Sequence, residues 1–330
     1  MADPRFGDAG SYSAHDERFP PRRPRPIFPR MTLPIVHAPR YDLDLARDHR
    51  FPAAKFRRLA ELIIAEGLLG PAGFHVPGPA PASWIAAVHD QGYVDAVLAG
   101  TVPASVARDI GFPVTEAVAL RSRMASGGTA LTARLALQHG IACNTAGGSH
   151  HARRAQGAGF CVFNDVAVAA SALLAEGLID RALVVDLDVH QGDGTADIFA
   201  GRPEVFTFSL HAERNYPNVK IPSDLDVGLP DGTADADYLE ALAGVLPGLI
   251  ARQRPDILFY NAGVDPHADD RLGRLALGDD GLMARDRLVI GAARAAGVPV
   301  ATVLGGGYGP DIDALARRHL GVFKVAAEFV

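Results

Sequence analysis

"LVVDLDVHQGDG", residues 183–194, begins as a buried strand and then turns polar. Leu183, Val184 and Val185 suit a parallel strand covered on both faces. The next residues bring Asp186, Asp188, His190 and Asp193 together with Gly192 and Gly194. Carboxyl ends of strands are where open α/β sheets gather their functional groups. The alternation of Asp186, Asp188 and His190 predicts that all three side chains leave a continued strand on one face.

Outward from this stretch, short apolar runs alternate with amphipathic ones. Strands are predicted over Leu33–His37, Ile141–Ala146, Ala182–Asp186, Val205–Leu210, Ile257–Ala262 and Val298–Leu304. Helices are predicted over Ala53–Leu69, Thr115–Gln138, Asp165–Glu176, Ala236–Arg252, Asp279–Ala296 and Asp311–Leu320. This order predicts an α/β fold: one domain with a mainly parallel sheet between two helical layers. Residues 1–32, rich in Pro and Arg and without apolar period, are expected to form a disordered extension, leaving 33–330 as the folded unit.

With 330 residues, 48% of them hydrophobic, the chain can bury a sizeable core. Its 32 basic and 38 acidic residues argue against a nucleic-acid partner held by bulk phosphate attraction. No apolar run reaches the roughly 18 residues of a membrane span, and the first residues carry no signal-peptide core. Cys143 and Cys161 are far apart and in no CxxC pair, so free thiols in a cytoplasmic setting are expected.

The ends of five predicted strands carry His, Asp, Tyr and Gly, a concentration that a chance turn composition does not explain. Asp188, His190 and Asp265, the last in "NAGVD", make two carboxylates and one imidazole. That set suits a catalytic metal with open positions better than a structural site of four Cys or His. A strand-end turn with capping carboxylates explains "DLDVH" alone, but not the agreement with Asp265. In "GGSHHA", adjacent His150 and His151 point apart, so they address a substrate more readily than they chelate one ion. Asp186 and Asp193 are spare acids able to hold the Nδ1–H of one imidazole each.

Tyr308 follows three glycines in "LGGGY", where a phenol can approach a crowded centre and stabilise an oxyanion. A Gly-rich turn with a packing Tyr is the plainer reading of that motif. Gly159 and Phe160 in "GAGFC" and Tyr216 in "ERNYP" suit a narrow opening for a thin alkyl chain, or simply the core. His37, His49, His75, His89, His139 and His319 fall in no such cluster and are expected to be structural or on the surface.

Taken together these residues resemble the zinc-dependent histone deacetylase family, on the arginase/deacetylase fold. "GGSHHA", "GFCVFND", "DLDVHQGDGT", "SLH", "NAGVD" and "LGGGY" occur in the family's order, and the match runs from about Leu33 to the C-terminus. "DHRFPAAKFRRLAELI" and "SDLDVGLPDGTADADYLEAL" look most like the class IV branch and its bacterial relatives. The resemblance implies one Zn2+ on Asp188, His190 and Asp265. It makes His151 a general base and then acid, oriented by Asp193, and His150 with Asp186 an electrostatic partner. Tyr308 would polarise the acyl carbonyl, and Gly159, Phe160 and Tyr216 would line an acyl-lysine tunnel. A structural K+ would lie on carbonyls near Asp186, Asp188, His190 and Leu210 with the Ser209 hydroxyl.

The implied reaction removes acetyl or longer acyl groups from the lysines of a protein or peptide. An acetylpolyamine or other acetylated small amine is the nearest alternative substrate, because the catalytic set is shared. An inactive acyl-lysine binding module is a distant alternative, since every catalytic residue is present. A binuclear ureohydrolase of the arginase type is a less favoured alternative. The chain departs from the family at Ser149, where many relatives carry a bulkier residue, so room beyond the acetyl methyl is expected. No acidic rim residue for a peptide backbone stands out.

Overall fold

The computed structural model describes residues 32–46 and 49–330. Apart from Thr32, the extension expected over residues 1–32 lies outside the described residues. Seven strands form one sheet: β1 (Ile35–Val36), β2 (Ile141–Asn144), β3 (Ala182–Asp186), β4 (Val205–Ala212), β5 (Leu225–Leu229), β6 (Ile257–Asn261) and β7 (Val300–Val303). They lie in the order β1-β2-β7-β6-β3-β4-β5, and every pairing is parallel. β2, β3, β6 and β7 are buried along their whole length, as a parallel sheet covered on both faces requires.

Ten α-helices are present among the described residues. They are α1 (Lys55–Ala65), α2 (Ala82–Ala86), α3 (Gln91–Ala99), α4 (Ala104–Ile110) and α5 (Glu116–His139), followed by α6 (Asp165–Ala175) and α7 (Asp193–Phe199). The C-terminal third adds α8 (Asp235–Gln253), α9 (Asp279–Ala295) and α10 (Ile312–Ala327). α5 packs on α6 and on β2 and β7, while α1, α10, α9 and α8 pack in succession as a second layer. Helix starts are locally encoded: Thr115 and Asn164 accept from Val118 N–H and Ala167 N–H at the heads of α5 and α6. Gly140, at φ 88°, ends α5 in the left-handed conformation that glycine adopts without strain.

The six expected strands and six expected helices all form, with shifted ends. β1 keeps two residues of Leu33–His37, and α10 runs on to Ala327 because Val322, Phe323, Val325 and Ala326 are buried. The structure adds β5, an edge strand, and the short helices α2, α3, α4 and α7.

One correction bears on the site. The strand does not continue to His190: β3 ends at Asp186. Leu187 N–H still reaches Asn261 O (3.2 Å), but Asp188 N–H turns to Asp186 Oδ1 (3.2 Å) and His190 N–H to Asp188 Oδ1 (3.0 Å). Aspartate side chains thus take the donors a longer ladder would have used. A turn, and not a period of two, places the cluster.

The chain moves outward through β3, β4 and β5 and then returns to lay β6 on the other side of β3. This is the topological switch point, where a crevice opens beyond the strand ends. Asp186 pairs with Asn261 in register, so the loops after β3 and β6 leave side by side.

Candidate active site

Those two loops bring Asp188, His190 and Asp265 together, all buried, with one potential ligand atom from each within 4.8 Å of the others. His190 Nδ1 lies 3.0 Å from Asp188 Oδ1 and 3.2 Å from Asp265 Oδ2. The remaining oxygens are engaged: Asp188 Oδ2 accepts from Gly306 N–H (2.7 Å) and Asp265 Oδ1 from Val189 N–H (2.9 Å). Asp265 Oδ2 is buried without a hydrogen-bond donor, the His190 contact being close but badly angled.

Burial and the Asp188 charge push the Asp265 carboxyl up to about 7. Burial opposes charge on His190 too, but Asp188 and Asp265 carry it up to about 10. Two carboxylates in so small a buried space call for positive charge, which a proton or a divalent cation supplies. A Cβ on Gly306 would collide with Asp265 Oδ2 and come within 2.6 Å of Asp188 Oδ2, so glycine leaves that space open. The donor set, the orphaned oxygen and this clearance fit a metal ion.

The histidine pair follows β2. His150 Nδ1 lies 2.7 Å from Asp186 Oδ2, and His151 Nδ1 lies 2.6 Å from Asp193 Oδ1. The two environments drive the rings apart. For His150, burial is outweighed by Asp186 and Asp188, and the pKa rises to about 9. For His151, burial and then the charge on His150 outweigh Asp193, and the pKa falls to about 4. Arg153 also holds Asp193, its guanidinium lying 2.6–2.8 Å from Oδ2. Asp165 fixes the loop beneath the pair, accepting from Ser149 N–H (2.7 Å) and Gly148 N–H (3.1 Å).

A channel of about 270 Å³ leads to the cluster, lined by His151, Gly159, Phe160, His190, Tyr216 and Tyr308 among others. Gly159 sits at φ 53°, and a Cβ there would come within 2.6 Å of the His151 ring. Tyr308 stands opposite the histidines, its ring 6.2 Å from His190 and 5.7 Å from Phe160. Burial, then Asp188 and Asp265, hold its phenol far above its ordinary pKa, so it remains a donor. Beside the cluster is a small cavity of about 30 Å³ lined by Ser149, Arg121, Cys161 and Gly306 among others. A larger groove of about 660 Å³ beside Asp42, Arg57 and Ile312 holds none of the cluster.

Every residue singled out in the sequence for the metal, the histidine pair, the phenol and the channel converges here. Ser209 and Leu210, on β4, lie in the same buried layer, Ser209 pairing in register with Asp186. His37, His89 and His319 are packed away from the channel, and both cysteines are free and buried. Residues that drew no attention in the sequence also matter. Lys55 donates to Gly305 O (3.3 Å) and Gly307 O (3.2 Å) under the Tyr308 loop. Arg285 donates to Gly263 O (2.6 Å) and Leu187 O (3.3 Å). Arg50, Arg108 and Asp109 line the mouth. A lone lysine on the apolar face of α1 was the one readable sign of these.

The parallel sheet, its switch-point crevice and the paired His–Asp units around an acid-rich cluster define a hydrolase type of site on an α/β scaffold. The chain belongs to the histone deacetylase family, whose domain matches residues 49–325. It is 48% identical over 298 residues to an uncharacterized protein of Picosynechococcus, covering 90% of this chain and 99% of that one. It is 29% identical to histone deacetylase 2 of Arabidopsis thaliana, over 85% of this chain and 76% of the relative. The crystal structure of the HDA15 HD domain shares the fold, with TM-score 0.75, 23% identity and coverage of 90% and 88%. The protein is thus a histone deacetylase-family hydrolase. No helix among the described residues is long and apolar enough to cross a membrane.

Proposed function

We propose that residues 33–330 form a zinc-dependent deacylase that hydrolyses the amide of Nε-acyl-lysine in a protein or peptide. The observation that carries this is the buried Asp188–His190–Asp265 cluster facing both His–Asp pairs at the end of a narrow channel. These three residues would hold Zn2+, which supplies Lewis acidity and eases deprotonation of water. His151, kept neutral, takes the proton of the attacking water and returns it to the leaving amine. Asp193 fixes its tautomer, and Arg153 fixes Asp193. His150, with Asp186, keeps positive charge beside the acyl group, and the Tyr308 hydroxyl donates to the oxygen that becomes negative. Gly159, Phe160 and Tyr216 guide the alkyl chain.

A second cation, K+, is proposed on the carbonyls of Asp186, Asp188, His190 and Leu210 and the Ser209 hydroxyl. The registered, buried ends of β3 and β4 support it. The free thiols suit a cytoplasmic setting.

The room anticipated beside Ser149 is small. The cavity there is only about 30 Å³, which makes acetyl the acyl group best supported. An acetylated small amine remains the second reading, since it needs the same catalytic residues. The test is hydrolysis of acetyl-, butyryl- and myristoyl-lysine peptides and acetylpolyamines, with elemental analysis of the same protein. About one zinc per chain and fastest release of acetyl from lysine are expected. Two metals per chain, or full metal content in Asp188→Ala, would overturn the metal assignment. Cleavage of acetylpolyamines alone would overturn the substrate.

A further inference from the structure

The mouth of the channel carries a charge pattern at odds with the rest of the chain. The protein has a formal net charge of −6, yet Arg50 and Arg108 both line the opening and neither forms an ion pair among the described residues. Arg271, its backbone N–H bound to the carbonyl of Tyr308 (3.0 Å), lines with Arg50 the adjoining groove, which also carries Asp42 and Asp44. Asp109 is the one carboxylate among the described residues that lines the channel opening. Two further acids near the channel are already committed. Asp193 is taken by Arg153 and His151, and Asp270 accepts backbone N–H groups of Tyr308, Leu272 and Gly273.

Among the described residues, two guanidiniums without an ion-pair partner against one carboxylate give the entrance a positive potential, which a cleft focuses and which draws anions toward it. Guanidinium is also the side chain best matched to carboxylate, through two parallel N–H donors. We infer that the entrance selects acyl-lysine substrates carrying carboxylates next to the acylated side chain, supplied by acidic flanking residues or by the free α-carboxylate of Nε-acetyl-lysine. Cationic substrates, basic tails and polyamines among them, are disfavoured at the same place. This rests on the reading of the site as an acyl-lysine hydrolase and sharpens its substrate class.

The experiment uses the full chain and labelled acetyl-lysine peptides flanked by Glu, Ala or Lys, with free Nε-acetyl-lysine and an acetylpolyamine alongside. Both kcat/KM and equilibrium binding by fluorescence anisotropy are measured at low and high salt. At low salt the Glu-flanked peptide should exceed the Lys-flanked one by about tenfold, a modest ratio because rim pairs are solvent-screened. The ratio should shrink as the Debye length falls from about 30 Å at 0.01 M to about 10 Å at 0.1 M. Arg50→Gln with Arg108→Gln should collapse the ratio toward one. Efficient use of free Nε-acetyl-lysine would assign the carboxylate to the amino acid itself, and a preference confined to peptides would assign it to flanking residues. Equal or better binding of the Lys-flanked peptide, or a ratio untouched by the double substitution, would overturn the inference. If no substrate turned over, the hydrolase reading would fail while the order of binding still decided the charge preference.

Discussion

Tyr308 is held by its backbone. Its N–H donates to Asp270 Oδ2 (2.7 Å), its carbonyl accepts from Arg271 N–H, and Lys55 fixes the carbonyls of Gly305 and Gly307 just before it. The hydroxyl is therefore free of structural duty, and its removal is a clean test. Tyr308→Phe should keep the melting temperature and metal content while kcat falls by about 10²–10³, the usual cost of one oxyanion donor. His151→Ala should be at least as damaging, because it removes the proton carrier. Steady-state kinetics beside circular dichroism and elemental analysis checks both, and near-normal turnover in the two variants would show the roles to be misassigned.

At the scale of elements, the two loops that carry the Asp188–His190–Asp265 cluster are joined from behind by one side chain of α9. Arg285 is fully buried, spans Leu187 O and Gly263 O, and pairs with Asp286 Oδ1 at 2.8–3.0 Å. Tyr260, on β6, donates to the same carboxylate (2.6 Å). Arg285→Met should strand Asp286 and both carbonyls, costing about 3–5 kcal/mol as broken buried pairs do. Arg285→Lys should restore part of that stability, since an ammonium cannot bridge both loops and Asp286 with fixed geometry. Urea denaturation reads the stability. Loss of metal to a chelator should be faster in Arg285→Lys than in the parent, and equal rates would show that Arg285 serves stability alone.

For the whole molecule, buried neutral histidines set an acid limit. His89 donates through Nδ1 to Arg153 O (2.8 Å) and accepts at Nε2 from Asn164 N–H (3.0 Å), which ties α6 to the loop bracing Asp193. Burial pulls its pKa down to about 4 from the 6.5 of a free imidazole. The unfolded chain therefore takes up this proton before the folded one does. The contribution of His89 is complete above pH 6.5 and is lost as pH falls toward 4, at about 1.4 kcal/mol per unit. His89→Gln should lose less stability between pH 7 and pH 4.5 than the parent does, by about 2–3 kcal/mol in urea denaturation. Parallel pH dependence in the two proteins would refute this.

The sequence by itself determined the main strands and helices, because continuous runs such as Leu183–Val185 have few places to go but a covered parallel strand. It also singled out the residues of the proposed site, since Asp188, His190, Asp265, the histidine pair and Tyr308 stand at strand ends in residue types that few structural roles require. β5 was missed although Leu225, Val227 and Leu229 alternate, because Asp224 and Asp226 gave it the look of a loop. Only the tertiary structure decided how the ligands meet. β6 lies in register beside β3, so residues some 75 positions apart leave the sheet together, and Asp186 ends the strand by bonding Asp188 N–H. The clamp by Arg285 and the placing of Arg50 and Arg108 at the channel mouth were likewise settled by packing. A charged side chain reads the same in sequence whether it is solvated, buried against two carbonyls or turned toward a channel, and its partners are chosen only when distant segments fold together.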